Sequence, residues 1–224
     1  MTDRQTDTPG RSRTGIVFFG RIMANVSHEF NNVITVISEL AGLLKDLSLM
    51  AQQGREIQPK KVLSISENIA KQVARGKHLT SHMNRFSHSA DEDCTGVDMQ
   101  GVVENMLVLT DRLFKNRKSS IDFVLPEEAC NLHTDPFELR RILFACLDCF
   151  LDASSPEVSV TLKRLDEKGT LELCITGPQG EVSKDFSAQI EELKRQTADL
   201  KGQLIFEQKD QQLRFRLTLP SNRE

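Results

Sequence analysis

The sequence predicts an α+β chain: an antiparallel helical hairpin that dimerises into a four-helix bundle, followed by an α/β sandwich. Three patterns predict it. The apolar residues Phe19, Met23, Val26, Phe30, Val33, Ile37, Leu40, Leu44 and Leu47 follow one another in alternating steps of four and three. That is a heptad seam, with a at 23, 30, 37 and 44 and d at 19, 26, 33, 40 and 47. A second helical run with its own apolar face follows a short polar turn. Beyond Ser89 the period changes to alternating strands separated by shorter helical stretches.

Taken in order, residues 1–14 are polar, with Pro9, Gly10 and several Ser, Thr and Arg, and are expected to be a disordered tail. The first helix is expected from about Gly15 to about Met50. Gln52, Gln53 and Gly54 make the turn, and Pro59 suits the first position of the second helix. That helix carries Val62, Ile65, Ile69, Leu79, Met83 and Phe86 on one face, interrupted by Gln72 and Gly76. An apolar stripe on both helices cannot be fully buried by one hairpin, so a homodimer is expected. The hairpin domain spans 15–89.

The acidic stretch from Ser89 to Gly96 breaks the pattern and marks a boundary, with the second domain at 98–220. There, Met99–Phe114 is helical, Ile121–Leu125 a short strand and Pro136–Ala153 helical. Val158, Val160 and Leu162 alternate with Ser159, Thr161 and Lys163 in a half-buried strand. Leu171–Thr176 is another strand, Phe186–Leu200 a helix, and Leu204–Gln208 and Leu213–Leu219 the last strands. Helices on one face of a mixed sheet result.

The chain of 224 residues has a net charge of −3 with mixed signs, which favours neither nucleic acid nor an anionic membrane surface. No apolar run approaches the ~18 residues of a membrane span, and Val17-Phe18-Phe19 is too short for a signal-peptide core. Five cysteines without an export signal read as reduced thiols in a cytoplasmic protein. Cys146 and Cys149 fall within a helical apolar pattern and read as core. His78 and His82 lack the glutamate of a metal-binding H-E-x-x-H pattern and read as a surface pair.

His28 is the candidate reactive residue. It falls at an f position, opposite the seam, with Glu29 beside it and Asn32 one turn further on the same outer face. An exposed imidazole is mostly neutral near pH 7 and able to act as a nucleophile. The string Ser27-His28-Glu29-Phe30-Asn31-Asn32 resembles the phospho-acceptor motif of sensor histidine kinases. Residues 74–87, Ala74 to Ser87, resemble the second helix of that family's dimerisation and phosphotransfer domain. The resemblance implies that His28 accepts a phosphoryl group. It also implies that the Glu29-x-x-Asn32 pattern serves a phosphatase activity on receiver domains. Glu29 is placed to orient the imidazole and act as its acid–base partner. Receivers of that family dock near the histidine, so Thr35 and Arg85 are candidate contacts.

The second half resembles the same family's ATP-binding domain, and the similarity runs from about Gly15 to Pro220. Asp135-Pro136-Phe137-Glu138-Leu139 looks like the start of the magnesium-binding helix, and Phe215-Arg216-Leu217-Thr218-Leu219-Pro220 like the last strand. The departures lie at the nucleotide. Ala145 and Cys149 stand where the family has metal-binding asparagines, and thiols suit a hard cation poorly. Ile175 stands where an aspartate would read adenine. The chain runs from Gly180 to Phe186 without a glycine-rich lid. The domain is therefore expected to be degenerate, with no ATP binding and no cofactor of its own, magnesium coming from the partner receiver.

The function expected is histidine phosphotransfer between response-regulator receiver aspartates through His28. The partners are receiver domains, a hybrid histidine kinase among their possible sources, and a second copy of the chain. Two alternatives stand beside it: a response-regulator phosphatase using Asn32, and a non-catalytic dimeric regulator of a two-component pathway. A diverged active histidine kinase is a third and weaker one, since phosphoryl transfer from ATP depends on positioning and metal charge.

Overall fold

A computed structural model of the chain describes residues 9–91, 93–124, 126, 128–151, 157–167, 169–178, 186–209 and 211–220. Two long helices come first, α1 (Pro9–Gln52) and α2 (Pro59–His88). After them come β1 (Thr95–Asp98), α3 (Met99–Asn116), β2 (Ser120–Val124), β3 (Asn131–Thr134) and α4 (Pro136–Asp148). The chain closes with β4 (Glu157–Arg164), β5 (Leu171–Pro178), α5 (Phe186–Asp199), β6 (Gln203–Lys209) and β7 (Gln212–Leu219).

The tail expected at 1–14 is helical from Pro9 onward, and its first eight residues lie outside the described residues. The α2 helix starts on Pro59 as expected. The short β1 and β3, which pair antiparallel from Thr95↔Thr134 to Asp98↔Asn131, were not legible as strands. Four residues each are too few to show a period. The helix expected to reach Ala153 ends at Asp148, and residues 152–156 lie outside the described residues.

The main sheet has the order β2-β4-β5-β7-β6, with β2 and β4 parallel and the other pairs antiparallel. Period-two alternation turns Val158, Val160, Leu162, Leu173, Ile175, Leu213, Phe215 and Leu217 toward one face, where all are buried. On the other face the largely covered Glu172 lies 3.0 Å from Lys163 and 3.4 Å from Arg216, so its charge is met by two cations. The helices α3, α4 and α5 cover the apolar face, giving two layers around one core. Asp98 caps α3 by accepting from the N–H groups of Gln100 and Gly101, and Asp135 caps α4 through those of Phe137 and Glu138.

The hairpin rests on this layer. Both α1 and α2 pack against α3, and α1 also reaches α4. Phe18 and Ile22, outside the predicted seam, are among the buried residues of the joint. Phe18 meets Phe86, Phe137 and Phe144 with ring centroids 5.4, 5.4 and 5.3 Å away. One aromatic cluster therefore joins α1, α2 and α4.

Candidate functional site

The rotation of α1 is fixed by what its d positions meet. Val26 and Val33 are buried, and Val33 faces α2 at Gly76, where a Cβ would lie in ordinary contact 3.6 Å from its Cγ1. With Val26 inward, His28 is two residues, about 200°, around the helix and points out. Its side chain is exposed and makes no hydrogen bond or ion pair among the described residues. Ser27, Asn32 and Thr35 are exposed as well.

Glu29 is different. Its carboxylate is half-buried and faces Arg75 of α2, with which it pairs, while Arg112 of α3 lies 3.8 Å away. The Asn32 amide donates to the same carboxylate at 3.3 Å. Glu29 and Asn32 are thus brought together, but neither is hydrogen-bonded to His28. Arg85 lies beside Phe86 at the base of the hairpin, level with Phe18. Thr35 is seventeen residues further along α1, roughly 25 Å of helix. The structure does not bring Thr35 and Arg85 into one surface.

Three polar residues spaced by four on α1 face the α/β layer: Arg21 and Asn25 were missed by reading the seam alone, and for Glu29 it was this contact that was missed. Arg21 donates through both Nη1 and Nη2, at 2.6 Å each, to Asp148 at the end of α4. Asn25, buried, donates its amide to the Leu109 carbonyl of α3. Glu29 reaches Arg112, one turn along α3. Together with Phe18 and Ile22 they form a stripe that docks α1 on the α/β layer. The signal was present in the sequence as a polar i, i+4, i+8 series beside two off-seam apolar residues.

A second missed feature starts from His82, expected on the surface and found buried. Its Nε2 is 3.1 Å from Nε2 of His78, and its Nδ1 is 3.1 Å from the Asn105 amide nitrogen, which also donates to the His82 carbonyl at 2.9 Å. The Asn105 oxygen accepts from Arg140 Nε at 3.4 Å. Arginine can only donate, so the amide orientation follows, and with it the histidine tautomer. His82 accepts at Nδ1 and carries its proton on Nε2, directed at His78. Burial, then His78 and Arg85, push the His82 pKa below its ordinary value. Its place on the face of Leu79 and Phe86 was the available sequence signal.

In the α/β layer, Ala145 and Cys149 are half-buried, and the Cys149 thiol donates to the Ala145 carbonyl at 3.2 Å. Ile175 is in the sheet core opposite Val160 and Phe215. Phe150, fully buried, meets Phe215 edge-on at 5.8 Å and 82°. A Cβ on Gly177 would fall 2.8 Å from the Phe150 ring, so only glycine fits there. Phe206 lies 5.1 Å from Phe215 and 5.4 Å from Phe186, extending the aromatic row to α5. The expected missing lid falls on residues 179–185, outside the described residues. Cys146 is fully buried, which drives its thiol pKa well up and leaves it a core residue. Among the described residues no cluster of three or more His, Cys, Asp or Glu could hold a metal, and no helix is long and apolar enough to cross a membrane.

Two long helices, the first bearing an exposed histidine, precede a five-stranded mixed sheet covered on one face by helices, and this fold is similar to that of solved histidine kinases. Among solved structures, the catalytic domain of histidine kinase ThkA is similar over 58% of this chain and 97% of that one, at 10% identity and a TM-score of 0.50. The Acinetobacter baumannii histidine kinase AdeS is similar over 88% of this chain and 98% of its own, at 15% identity and a TM-score of 0.47. Histidine kinase ThkA in complex with response regulator protein TrrA is similar over 95% of this chain and 64% of that one, at 15% identity and a TM-score of 0.46. No family model matches the sequence, and no curated protein matches it. The likeness is one of fold.

Proposed function

We propose that this protein is a histidine phosphotransferase of a two-component pathway, relaying a phosphoryl group between receiver aspartates through His28 without using ATP. The observation that carries this reading is the pairing of an exposed, unengaged His28 with an α/β layer whose nucleotide positions are apolar or filled. Ala145, Cys149 and Ile175 offer neither a magnesium ligand nor an acceptor for an adenine amino group. Phe150 fills the space against Gly177.

In the proposed reaction, one nitrogen of the neutral His28 imidazole attacks the phosphorus of a receiver aspartyl phosphate. The new N–P bond forms as the acyl P–O bond breaks, and the electron pair leaves with the aspartate carboxylate. The proton on the other ring nitrogen disperses the positive charge that develops. The reverse sequence delivers the group to a second receiver. Magnesium is the receiver's contribution. For Glu29 to orient the imidazole, its carboxylate must leave Arg75, and the proposal includes that exchange on docking. Asn32 has a distinct role, orienting water against the acyl phosphate, and Thr35 is a receiver contact on the same exposed face.

The proposal also includes a homodimer. The a positions Met23, Phe30, Ile37 and Leu44 are only half-buried, and Ile34 and Leu63 stand 57% and 60% exposed along the hairpin. Pairing two hairpins would cover them. The domains at 15–89 and 98–220 carry the phosphotransfer and ATPase-like parts, in a cytoplasmic setting.

The test uses purified phospho-receiver and four proteins. His28→Ala should abolish acid-labile, base-stable label and all passage to a second receiver. Asn32→Ala should label normally and slow only the loss to water. Glu29→Ala should label slowly, since an acid–base partner contributes on the order of 10²–10⁴ in rate. If His28→Ala dephosphorylates the receiver at the wild-type rate while Asn32→Ala does not, the protein is a phosphatase instead.

A further inference from the structure

Arg140, in the second turn of α4, is only 7% exposed. Its Nε donates to Asn105 Oδ1 and its Nη1 to the Pro136 carbonyl at 2.8 Å, both neutral acceptors. No carboxylate pairs with it among the described residues, and Nη2 has no partner there. Its neighbour Arg141, equally buried, is paired with Glu138. The lone charge is penalised: burial, and then the proximity of Arg85, lower the Arg140 pKa to about 10. Arg85 has no ion pair among the described residues either.

The two arginines border one cleft of about 370 Å³. The end of α2, strand β1 and the starts of α3 and α4 line it, through Ser89, Thr95, Gly96, Gly101 and Pro136. The other charges at its wall are already engaged. Asp98 accepts the backbone N–H groups of Gln100 and Gly101, and His88 pairs with Asp91 at 2.7 Å. A buried cation without a counter-ion is unfavourable unless something supplies the opposite charge. Guanidinium groups match planar or tetrahedral oxyanions through paired N–H bonds. The volume falls in the ~300–1,000 Å³ range of small-molecule sites, larger than a bare ion needs.

We propose that this cleft binds a small molecule bearing a phosphate or carboxylate group, held between Arg85 and Arg140. The site is separate from His28. Through Asn105, which joins Arg140 to the His82 carbonyl, an occupant also ties the end of α2 to α4.

The test is calorimetric titration of the full chain with inorganic phosphate, with AMP and with citrate, at constant ionic strength. Saturable binding of at least one is expected, with a rise in melting temperature that follows its concentration. Phosphate and AMP binding without citrate would assign a phosphate ligand, and citrate alone a carboxylate. Arg85→Ala, at an exposed position, should weaken binding about tenfold or more with the circular dichroism spectrum unchanged. Arg140→Met should abolish binding, and in anion-free buffer it should melt no lower than the wild type, because an apolar side chain replaces an unpaired buried charge. Absence of saturable binding for all three compounds, or binding equal in wild type and both variants, would overturn the proposal.

Discussion

Replacing Phe86 by alanine probes the joint between the hairpin and the α/β layer. Its ring is fully buried, 5.4 Å from Phe18 in an edge contact, 5.4 Å from Phe19 in a stacked one and 6.3 Å from Phe137. A phenylalanine buries about 150–250 Å², which at ~25 cal/mol per Å² is about 4–6 kcal/mol of transfer free energy. Alanine retains part of this, and the surroundings relax into the space. Core Phe→Ala changes accordingly cost about 3–5 kcal/mol. For a chain of this size each kcal/mol moves the melting temperature by about 2–4 °C, so a fall of roughly 6–20 °C is expected. Urea denaturation followed by far-ultraviolet circular dichroism reads the free energy directly. Phe86→Leu, which keeps most of the volume, should recover more than half of the loss. If Phe86→Ala loses less than about 1 kcal/mol, the aromatic cluster does not hold the hairpin on the layer and the docked arrangement is wrong.

Three further outcomes are expected. In the Arg140→Met variant, which lacks the oxyanion cleft, titration with Mg²⁺-ATP should give no heat of binding, whereas a micromolar dissociation constant there would show that the positions of Cys149 and Ile175 have been misread. The wild type should sediment as a dimer and Ile37→Glu as a folded monomer, because a charge at a half-buried a position opposes pairing more than it opposes the hairpin; a well-folded wild-type monomer at micromolar concentration would defeat the bundle. The His82 pKa is lowered in the folded chain by burial and by its neighbours His78 and Arg85, with Glu104 opposing. The unfolded chain therefore binds more protons, so the His82 contribution is complete above the ordinary value of 6.5 and is lost as pH falls through the lower folded value. Urea midpoints should drop on acidification from about pH 7 to about pH 5, and His82→Gln should flatten part of that slope.

Where the sequence carried a period, the architecture could be read from it. The seam of α1 put His28 on the outside, and the alternation of β4 and β7 predicted their buried faces. What stayed hidden were contacts between elements distant in sequence. Glu29 read as a free neighbour of His28 because nothing local reveals Arg75 and Arg112 converging on it. Phe18 and Ile22 fell outside a seam search because they serve the joint with the α/β layer, where Phe18 meets Phe137 and Phe144 of α4 as well as Phe86 of α2. His82 read as exposed because polarity suggested surface, while burial depended on Asn105 arriving from α3 to accommodate its ring. Phe150 showed only as an apolar residue in an expected helix; that it excludes any side chain at Gly177 depends on how the turn after α4 lies on β5.

The most direct measurement of the phosphotransfer proposal follows label from a phosphorylated receiver onto this chain and then onto a second receiver, comparing wild type with His28→Ala. If His28 carries the phosphoryl group, the wild type becomes labelled in a base-stable, acid-labile form and passes the label on, while His28→Ala does neither. A wild-type chain that never acquires label from any receiver, or a His28→Ala variant that labels as well as the wild type, would contradict it.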